Sequence, residues 1–563
     1  MYTLGINAFT HDASSVLLEN DRIIAYAQEE RFSRKKHDAS FPFASIEYCL
    51  KTANISYKDI NIAAFSWKPF LKIIPRFFKT FYNIKGGFPR IKTQSNKWFD
   101  IISVKQLLKK LGFTGRFYYI PHHDAHAAAC YYSSNFDDSA ILVIDGVGEY
   151  TTTSFYHGLN NSIKLIKQYF YPNSLGLFYA AVTEYLGFKN NEGEGKVMGM
   201  AAYGSPIYLD KMKKCVSLIN NDYIINKKFF DFANRWYTKL FEKEFGLHRN
   251  ENEPIENIHF DIAASAQKIL EHAIWNLCKQ IKKLTKSENL CYTGGVSLNC
   301  QANYFIYSKK DFNKYYFFPS AYDAGTSLGA ALYAYKKFLN KEINLSFEHT
   351  FWGPEINENK AAKIAKANSL KVKVSNELYA EIAAEIANGK ITGWCQGRIE
   401  IGPRALGNRC ILADPRNPLS KDLVNNKIKK RESFRPFAPT ILADKTHLFF
   451  EITDLFPYMM VTLPVKLNKR DLIPAVIHVD NTCRIQTLTK EFNPNFYKLI
   501  YEFYKLTNIP ILLNTSFNKA GEPMVQNEYD AINSFINSNL DTLIIGKLII
   551  NKYFFSHCIH IHR

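Results

Sequence analysis

No two of the ten cysteines stand in a Cys-x-x-Cys spacing, which excludes the commonest zinc-ribbon and thioredoxin-type arrangements. Their scatter (49, 130, 215, 278, 291, 300, 395, 410, 483 and 558) reads as reduced thiols of a cytoplasmic protein. No uncharged apolar run reaches roughly 18 residues, so no membrane-spanning helix is expected. Met1-Tyr-Thr-Leu-Gly-Ile-Asn enters a strand-like run without the basic and then apolar stretch of a secretory signal, and export is not expected. Acid is in short supply: 52 Asp and Glu face 71 Lys and Arg, a formal charge of +19. That surplus points to anionic partners: phosphates, nucleic acid or an acidic surface. The rest is ordinary. Of 563 residues, 47% are hydrophobic and 22% charged, which excludes a disordered chain or a fibrous repeat. The length allows two large domains or three to four small ones.

Residues 3–9 read as a strand, Thr10-His11-Asp12 as a turn, and Ser14–Leu18 and Ile23–Ala27 as two further strands of an antiparallel meander. Ala140–Ile144, the turn Asp145-Gly146-Val147-Gly148 and Tyr150–Tyr156 repeat the idea, so a duplicated α/β unit is expected, with a nucleotide in the cleft between its halves. Residues 68–116 carry twelve Lys/Arg and one acid, Asp100, among Phe, Tyr, Trp, Ile and Leu. The favoured reading is a helical insertion with aromatics inward and lysines in solvent. The other is a lipid or nucleic-acid contact centred on Phe70–Tyr82. Helical patterns follow at Ile262–Lys283 and Gly325–Leu339. A polar break with Gly353-Pro354 over Glu342–Asn359 is taken as the domain junction, followed by helices at Ala361–Asn368 and Leu378–Asn388 and a strand at Ile391–Cys395. The expected domains are therefore 1–345 and 355–563.

His122 and His126 stand four apart at the start of a helical stretch, so both can reach one metal ion. Asp145 and Asp323, each in a Gly-containing turn, would complete a two-His, two-carboxylate set suited to Fe(II), Mn(II) or Zn(II). Thr293-Gly294-Gly295-Val296-Ser297-Leu298-Asn299 follows an apolar run and precedes a helix, where amides could receive a phosphate or adenosine. Lys196 and Gly199 lie in a second glycine-rich segment, Glu194–Gly204. Further on, Arg398, Arg404, Arg409 and Arg416 fall within nineteen residues among Gly and Pro. Guanidinium groups fork onto phosphate or carboxylate oxygens. With Lys429-Lys430-Arg431, Ser433-Phe-Arg435-Pro and Asn514-Thr-Ser516-Phe-Asn518, they describe a cationic, hydroxyl-rich anion pocket.

Taken in order, these segments resemble the NodU/CmcH/TobZ-type carbamoyltransferases over nearly the whole chain. The carrying motifs are Leu4–Ser14, Glu29-Glu-Arg31-Phe-Ser-Arg34, His122–Ala128, Asp145–Glu149, Lys196–Ala201, Thr293-Gly-Gly, Gly397–Asn417, Phe434–Pro439 and Leu513–Asn518. The resemblance implies an α/β fold, with a duplicated actin/sugar-kinase-like (ribonuclease H-like) N-terminal domain and a smaller YrdC-like C-terminal domain. It implies that His122, His126, Asp145 and Asp323 hold the metal, Fe(II) expected, with His11 and Asp12 catalytic near the transferred carbamoyl group. Gly146, Gly148, Lys196, Gly199, Gly294, Gly295 and Asn299 would meet the nucleotide. Arg398, Arg404, Arg409, Lys429, Arg431, Ser516 and Asn518 would meet carbamoyl phosphate. One departure is Asn481, where the family pattern has Gly; Asn tolerates left-handed backbone.

The implied activity is ATP-dependent formation of carbamoyl-adenylate from carbamoyl phosphate, then transfer to a hydroxyl or amine of a glycoside or other secondary metabolite. Lys72, Arg76 and Lys79 would favour an anionic or membrane-associated carrier of that acceptor. Nucleic acid is not the favoured partner. The alternatives are a threonylcarbamoyl-type tRNA-modifying enzyme, a sugar kinase that would leave the arginine-rich second half unexplained, and a non-catalytic ATP-dependent scaffold.

Overall fold

The computed structural model describes residues 1–69, 71, 87–232, 235–432 and 434–552, with backbone alone for 87–97. Tyr2–Asn7 is the central strand of a five-stranded sheet, ordered Arg22–Gln28, Ser14–Glu19, Tyr2–Asn7, Ile60–Phe65, Arg116–Tyr119. Its first three strands run antiparallel and the last two join in parallel. Asp138–Ile144 takes the same place in a second sheet, ordered Ser162–Phe170, Thr151–Leu159, Asp138–Ile144, Asn289–Thr293, Lys314–Phe317. The pairing directions repeat strand for strand. The central strands are buried on both faces, as expected when helices cover a sheet from both sides.

Helices His122–Ser133 and Thr326–Leu339 lie between the two sheets and pack on each other through Ala125, Ala127, Ala128, Leu328 and Ala331. Gly329 makes that approach possible, because a Cβ there would fall 1.7 Å from the carbonyl oxygen of Ala125. The close packing brings the N-terminus of each helix against the hairpin turns that follow Asn7 and Ile144. Residues of both turns and both helix N-termini therefore meet at one end of the paired sheets.

An eight-stranded mixed sheet dominates the second half, in the order Lys371–Val374, Leu548–Asn551, Thr542–Ile545, Thr392–Cys395, Arg409–Ala413, Ile511–Ser516, Ala438–Leu442, Gln486–Leu488. The polar stretch over 342–359, taken as the junction, carries buried apolar side chains. Ile343, Leu345, Phe347 and Trp352 are buried in the first half's core, and Phe351–Glu355 pairs with Arg398–Glu400. Alternation of apolar with polar residues, which lowers mean hydropathy, is what a half-buried strap requires.

Most of the described part of the basic segment is the helix Gly87–Lys110. Ile101, Val104 and Leu108 face the core while Lys105, Lys109 and Lys110 are exposed, as the packed insertion requires of its lysines, but Phe99 is 72% exposed, so the helix packs through aliphatic rather than aromatic side chains. Phe70, Lys72, Arg76, Lys79 and the rest of Phe70–Tyr82 apart from Leu71 lie outside the described residues, as do Ser433 and Cys558. Asn481 adopts φ 62°, the left-handed conformation its position calls for. No helix among the described residues is long and apolar enough to cross a membrane.

Candidate active site

His122 and His126 project to one side of their helix, as i,i+4 spacing dictates, and their Nε2 atoms are 3.1 Å apart. Asp145, just past strand Asp138–Ile144, places Oδ2 3.2 Å from His122 Nε2 and 4.0 Å from His126 Nε2. Asp323, in the turn before helix Thr326–Leu339, places Oδ1 3.5 and 3.9 Å from the same atoms. One donor atom from each residue lies within 4.8 Å of every other, and all four residues are buried. Asp323 Oδ1 has no hydrogen-bond partner, a defect that ordinarily costs about 1–3 kcal/mol. Two imidazole nitrogens and two carboxylate oxygens converging around such an atom fit a borderline divalent ion.

The surroundings fix these side chains. Gly295 N donates to Asp145 Oδ1 at 3.1 Å and Thr10 Oγ1 to Asp323 Oδ2 at 3.0 Å. Glu149 Oε1 accepts from the backbone amides of His122 (3.0 Å) and Lys68 (2.7 Å). Trp67 sets its ring 5.4 Å from that of His122. Burial would lower the His122 pKa, but Asp323 and Asp145 outweigh it and hold it well above the ordinary value. His126 goes the other way, to about 4, through burial and the charge on His122. Burial opposes ionisation of Asp145 too, yet the histidines hold it well below the carboxylate range.

His11 stands at the edge of this cluster, with Nε2 3.5 Å from Asp323 Oδ2 and Nδ1 2.7 Å from Asp12 Oδ2. Its side chain keeps 36% of its surface open, so a ligand can reach it. Burial would lower its pKa, while Asp323 and Asp12 raise it to about 10.

The nucleotide candidates divide into four groups. Gly294 (φ 91°) and Gly295 form the wall beside Asp145; a Cβ on Gly294 would come within 2.2 Å of the Ile144 carbonyl oxygen. Gly146 packs on Leu177, and Gly148 leaves room for the His122 and His123 rings. Asn299 is spent locally, its Oδ1 accepting from Ala302 N and Gln267 Nε2, both at 3.0 Å. Glu194–Ala201 is a helix rather than an open loop. Lys196 pairs with Glu432 at 2.7 Å, and Gly199 faces Pro436 and Phe434 across the boundary between the halves.

Lys429, Arg431, Ser516 and Asn518 come together with Arg404 nearby. Lys429 Nζ donates to Asn518 Oδ1 (2.7 Å), Asn518 O (3.0 Å), Ser516 Oγ (3.2 Å) and the Ser516 carbonyl. Arg431 Nε donates to Asn425 Oδ1 at 2.7 Å, and its guanidinium lies 4.6 Å over the Phe437 ring. Burial, then Arg431 and Arg435, hold Lys429 well below its usual pKa. Burial, then Arg435 and Arg484, do the same to Arg431. Burial and Arg484 bring Arg404 down to about 9. Arg404 Nε and Arg484 Nε are buried without a partner. Such mutual repulsion is relieved by a multiply charged anion.

Two expected members of this pocket are elsewhere. Arg398 donates to the carbonyls of Gly353 (3.1 Å), Trp352 (2.7 Å) and Ile24 (3.0 Å) and to Tyr48 Oη (2.8 Å). Arg409 is fully buried and bonds the carbonyls of Gln396, Gly397, Asn408, Pro354 and Gln526. Both guanidinium groups satisfy backbone acceptors, which a sequence cannot distinguish from substrate oxygens. Arg435 and Arg484 replace them. Arg435 sits in a motif legible in the sequence, whereas Arg484 stands alone in Thr482–Arg484 and carries no local signal. Thr10, His37 and Glu149 are likewise absent from the expected site set.

A buried two-His, two-Asp cluster and a pocket of clustered cations are features that a group-transfer enzyme can use. Residues 2–332 match the family profile "Carbamoyltransferase N-terminus" and residues 383–552 match "Carbamoyltransferase C-terminus". The chain is 36% identical to an uncharacterized protein of Synechocystis sp., covering 98% of this chain and 97% of that one. It is 34% identical to nodulation protein NolNO of Sinorhizobium fredii, covering 97% and 80%. It is 26% identical to nodulation protein U of Rhizobium fredii, covering 91% and 89%. The chain belongs to the carbamoyltransferase family, and it is a carbamoyltransferase enzyme.

Proposed function

We propose that the enzyme works in two steps at two centres. The reading is carried by one observation: Lys429, Arg431, Arg435, Arg404 and Arg484 crowd into one pocket where Glu432, 3.8 Å from Arg435, does not match their number, and the Nε atoms of Arg404 and Arg484 are buried without a partner. Carbamoyl phosphate and ATP are both polyanions, and clustered guanidinium groups offset the repulsion that otherwise keeps them apart. In the first step, water cleaves the carbamoyl–phosphate bond and the resulting carbamate attacks the α-phosphorus of ATP. Carbamoyl-adenylate, phosphate and pyrophosphate result. In the second step a hydroxyl or amine of the acceptor attacks the carbamoyl carbon, and AMP leaves.

The second step belongs to the cluster at the end of the paired sheets. His122, His126, Asp145 and Asp323 would hold a divalent ion, Fe(II) being the expected one, which when bound supplies Lewis acidity and charge compensation for the adenylate. Gly294 and Gly295 let backbone amides approach the nucleotide. His11, reachable from solvent and oriented by Asp12, takes or holds the acceptor proton at Nε2. Positive charge in the cluster would offset Asp323 and lower the His11 pKa toward the range useful to a base.

This division corresponds to an actin/sugar-kinase-like, ribonuclease H-like unit over 1–345 and a YrdC-like unit over 355–563. The repeated five-stranded sheets and the separate eight-stranded sheet support it. The acceptor is a glycoside or other secondary metabolite hydroxyl. ATP–pyrophosphate exchange, with and without carbamoyl phosphate, tests the scheme: exchange that requires carbamoyl phosphate supports it, and exchange independent of it refutes it.

A further inference from the structure

Asp12 is shared by two imidazoles. Its Oδ2 meets His11 Nδ1 at 2.7 Å and its Oδ1 meets His37 Nδ1 at 2.8 Å. His11 Nε2 then lies 3.5 Å from Asp323 Oδ2, which gives an unbroken line His37–Asp12–His11–Asp323 from half-buried His37 to the transfer centre. Asp12 is buried, and although burial opposes ionisation, the two histidines hold its pKa well below the carboxylate range. Asp12, Glu30 and His37 are close enough to be read as a second metal triad. The carboxylate oxygens are already engaged, however: Glu30 Oε1 pairs with Arg31 at 3.0 Å and Glu30 Oε2 accepts from His37 N at 2.9 Å.

The segment just before His37 is tied to the other half of the molecule. Arg31 Nη2 donates to the Gly402 carbonyl at 3.0 Å. Arg34 donates to the carbonyls of Met524 (2.6 Å) and Pro523 (3.0 Å). His37 follows three residues later with φ 55°, a conformation that places its ring against Asp12 and that Asn, Asp and Gly share at low cost.

We propose that His37 is a positioning residue for carbamoyl transfer. It anchors Asp12 Oδ1, so that Asp12 Oδ2 fixes the His11 ring with Nδ1 as donor and Nε2 facing the reacting group. The inference rests on the proposed role of His11. A carboxylate that orients a ring needs its second oxygen restrained, and His37 Nδ1–H supplies that restraint.

His37→Asn and His37→Asp separate this role from loop structure, since the two side chains have one shape and similar backbone tolerance. Asn keeps a donor where Nδ1 was, whereas Asp presents a carboxylate to Asp12. The readout is AMP release from ATP and carbamoyl phosphate with water as acceptor, alongside carbamoyl phosphate-dependent pyrophosphate exchange. His37→Asn is expected to stay within about threefold of wild type, while His37→Asp lowers kcat about 10- to 100-fold with KM for carbamoyl phosphate and exchange unchanged. Equal effects of the two substitutions on kcat overturn the proposal. If His37→Asp also loses exchange, His37→Gly decides: recovery of turnover on adding free imidazole supports the role, and no recovery overturns it. His11→Ala is the companion control. Wild-type turnover in that variant rejects the parent reading of His11 rather than the role of His37.

Discussion

Replacing Arg431 with Ala removes a guanidinium that Asn425 and Phe437 hold in the middle of the cationic pocket. A charge-assisted hydrogen bond to a bound anion contributes about 1.5–3 kcal/mol. At about 1.4 kcal/mol per decade, losing one costs about 10- to 150-fold in carbamoyl phosphate-dependent exchange. Stability of the ligand-free protein moves the other way. Arg431 is buried against Arg435 and Arg484, so removing one like charge relieves repulsion, and Tm stays level or rises. Thermal unfolding and exchange, measured on one preparation, give the two numbers. Exchange at the wild-type rate and KM would refute the placement of the anion. A Tm that falls in step with activity would refute the repulsion argument and make Arg431 structural.

Arg409→Met should behave oppositely to Arg431→Ala. It removes a donor from five carbonyls, three of them in fully buried bonds, and should cost about 3 kcal/mol or more in urea unfolding. Gly294→Ala forces a Cβ to within 2.2 Å of the Ile144 carbonyl at φ 91° and should destabilise by at least about 1–3 kcal/mol in the same assay. Because Lys429 is held below its usual pKa, the unfolded chain binds more protons than the folded one between the two values. Stability of the ligand-free protein therefore rises with pH across that window: the contribution is an unrelieved penalty below the folded value and is fully removed above the unfolded one. Lys429→Met should flatten this part of the slope in unfolding curves measured below the usual lysine pKa of about 10.4.

The hairpins and helices that build the first half are legible because their periodicity is strong: polar turns at 10–12 and 145–148 punctuate buried strands. The gathering of His122, His126, Asp145 and Asp323 is legible for the same reason, since two share a helix face and two sit in Gly-containing turns. Arginine density in 398–416 signals a demand for donors but not who makes it; Arg398 and Arg409 answer backbone carbonyls, and Arg404 faces the pocket. Arg484 reaches that pocket only through tertiary packing, and His37 reaches Asp12 only because a left-handed residue turns the chain back. The 342–359 junction reads as polar because its apolar residues alternate, which conceals a buried strap.

The most direct measurement of the two-centre scheme is acid-quench mass spectrometry of the His126→Ala enzyme supplied with ATP and carbamoyl phosphate, together with its metal content. His126 contributes one of the four converging donors and is remote in sequence from the cationic pocket. The variant should lose metal and transfer while carbamoyl-adenylate accumulates, and adding Arg431→Ala to it should cut the rate of that accumulation about 10- to 150-fold. Full metal content with wild-type transfer in His126→Ala, or no carbamoyl-adenylate in a folded His126→Ala enzyme, would contradict the account.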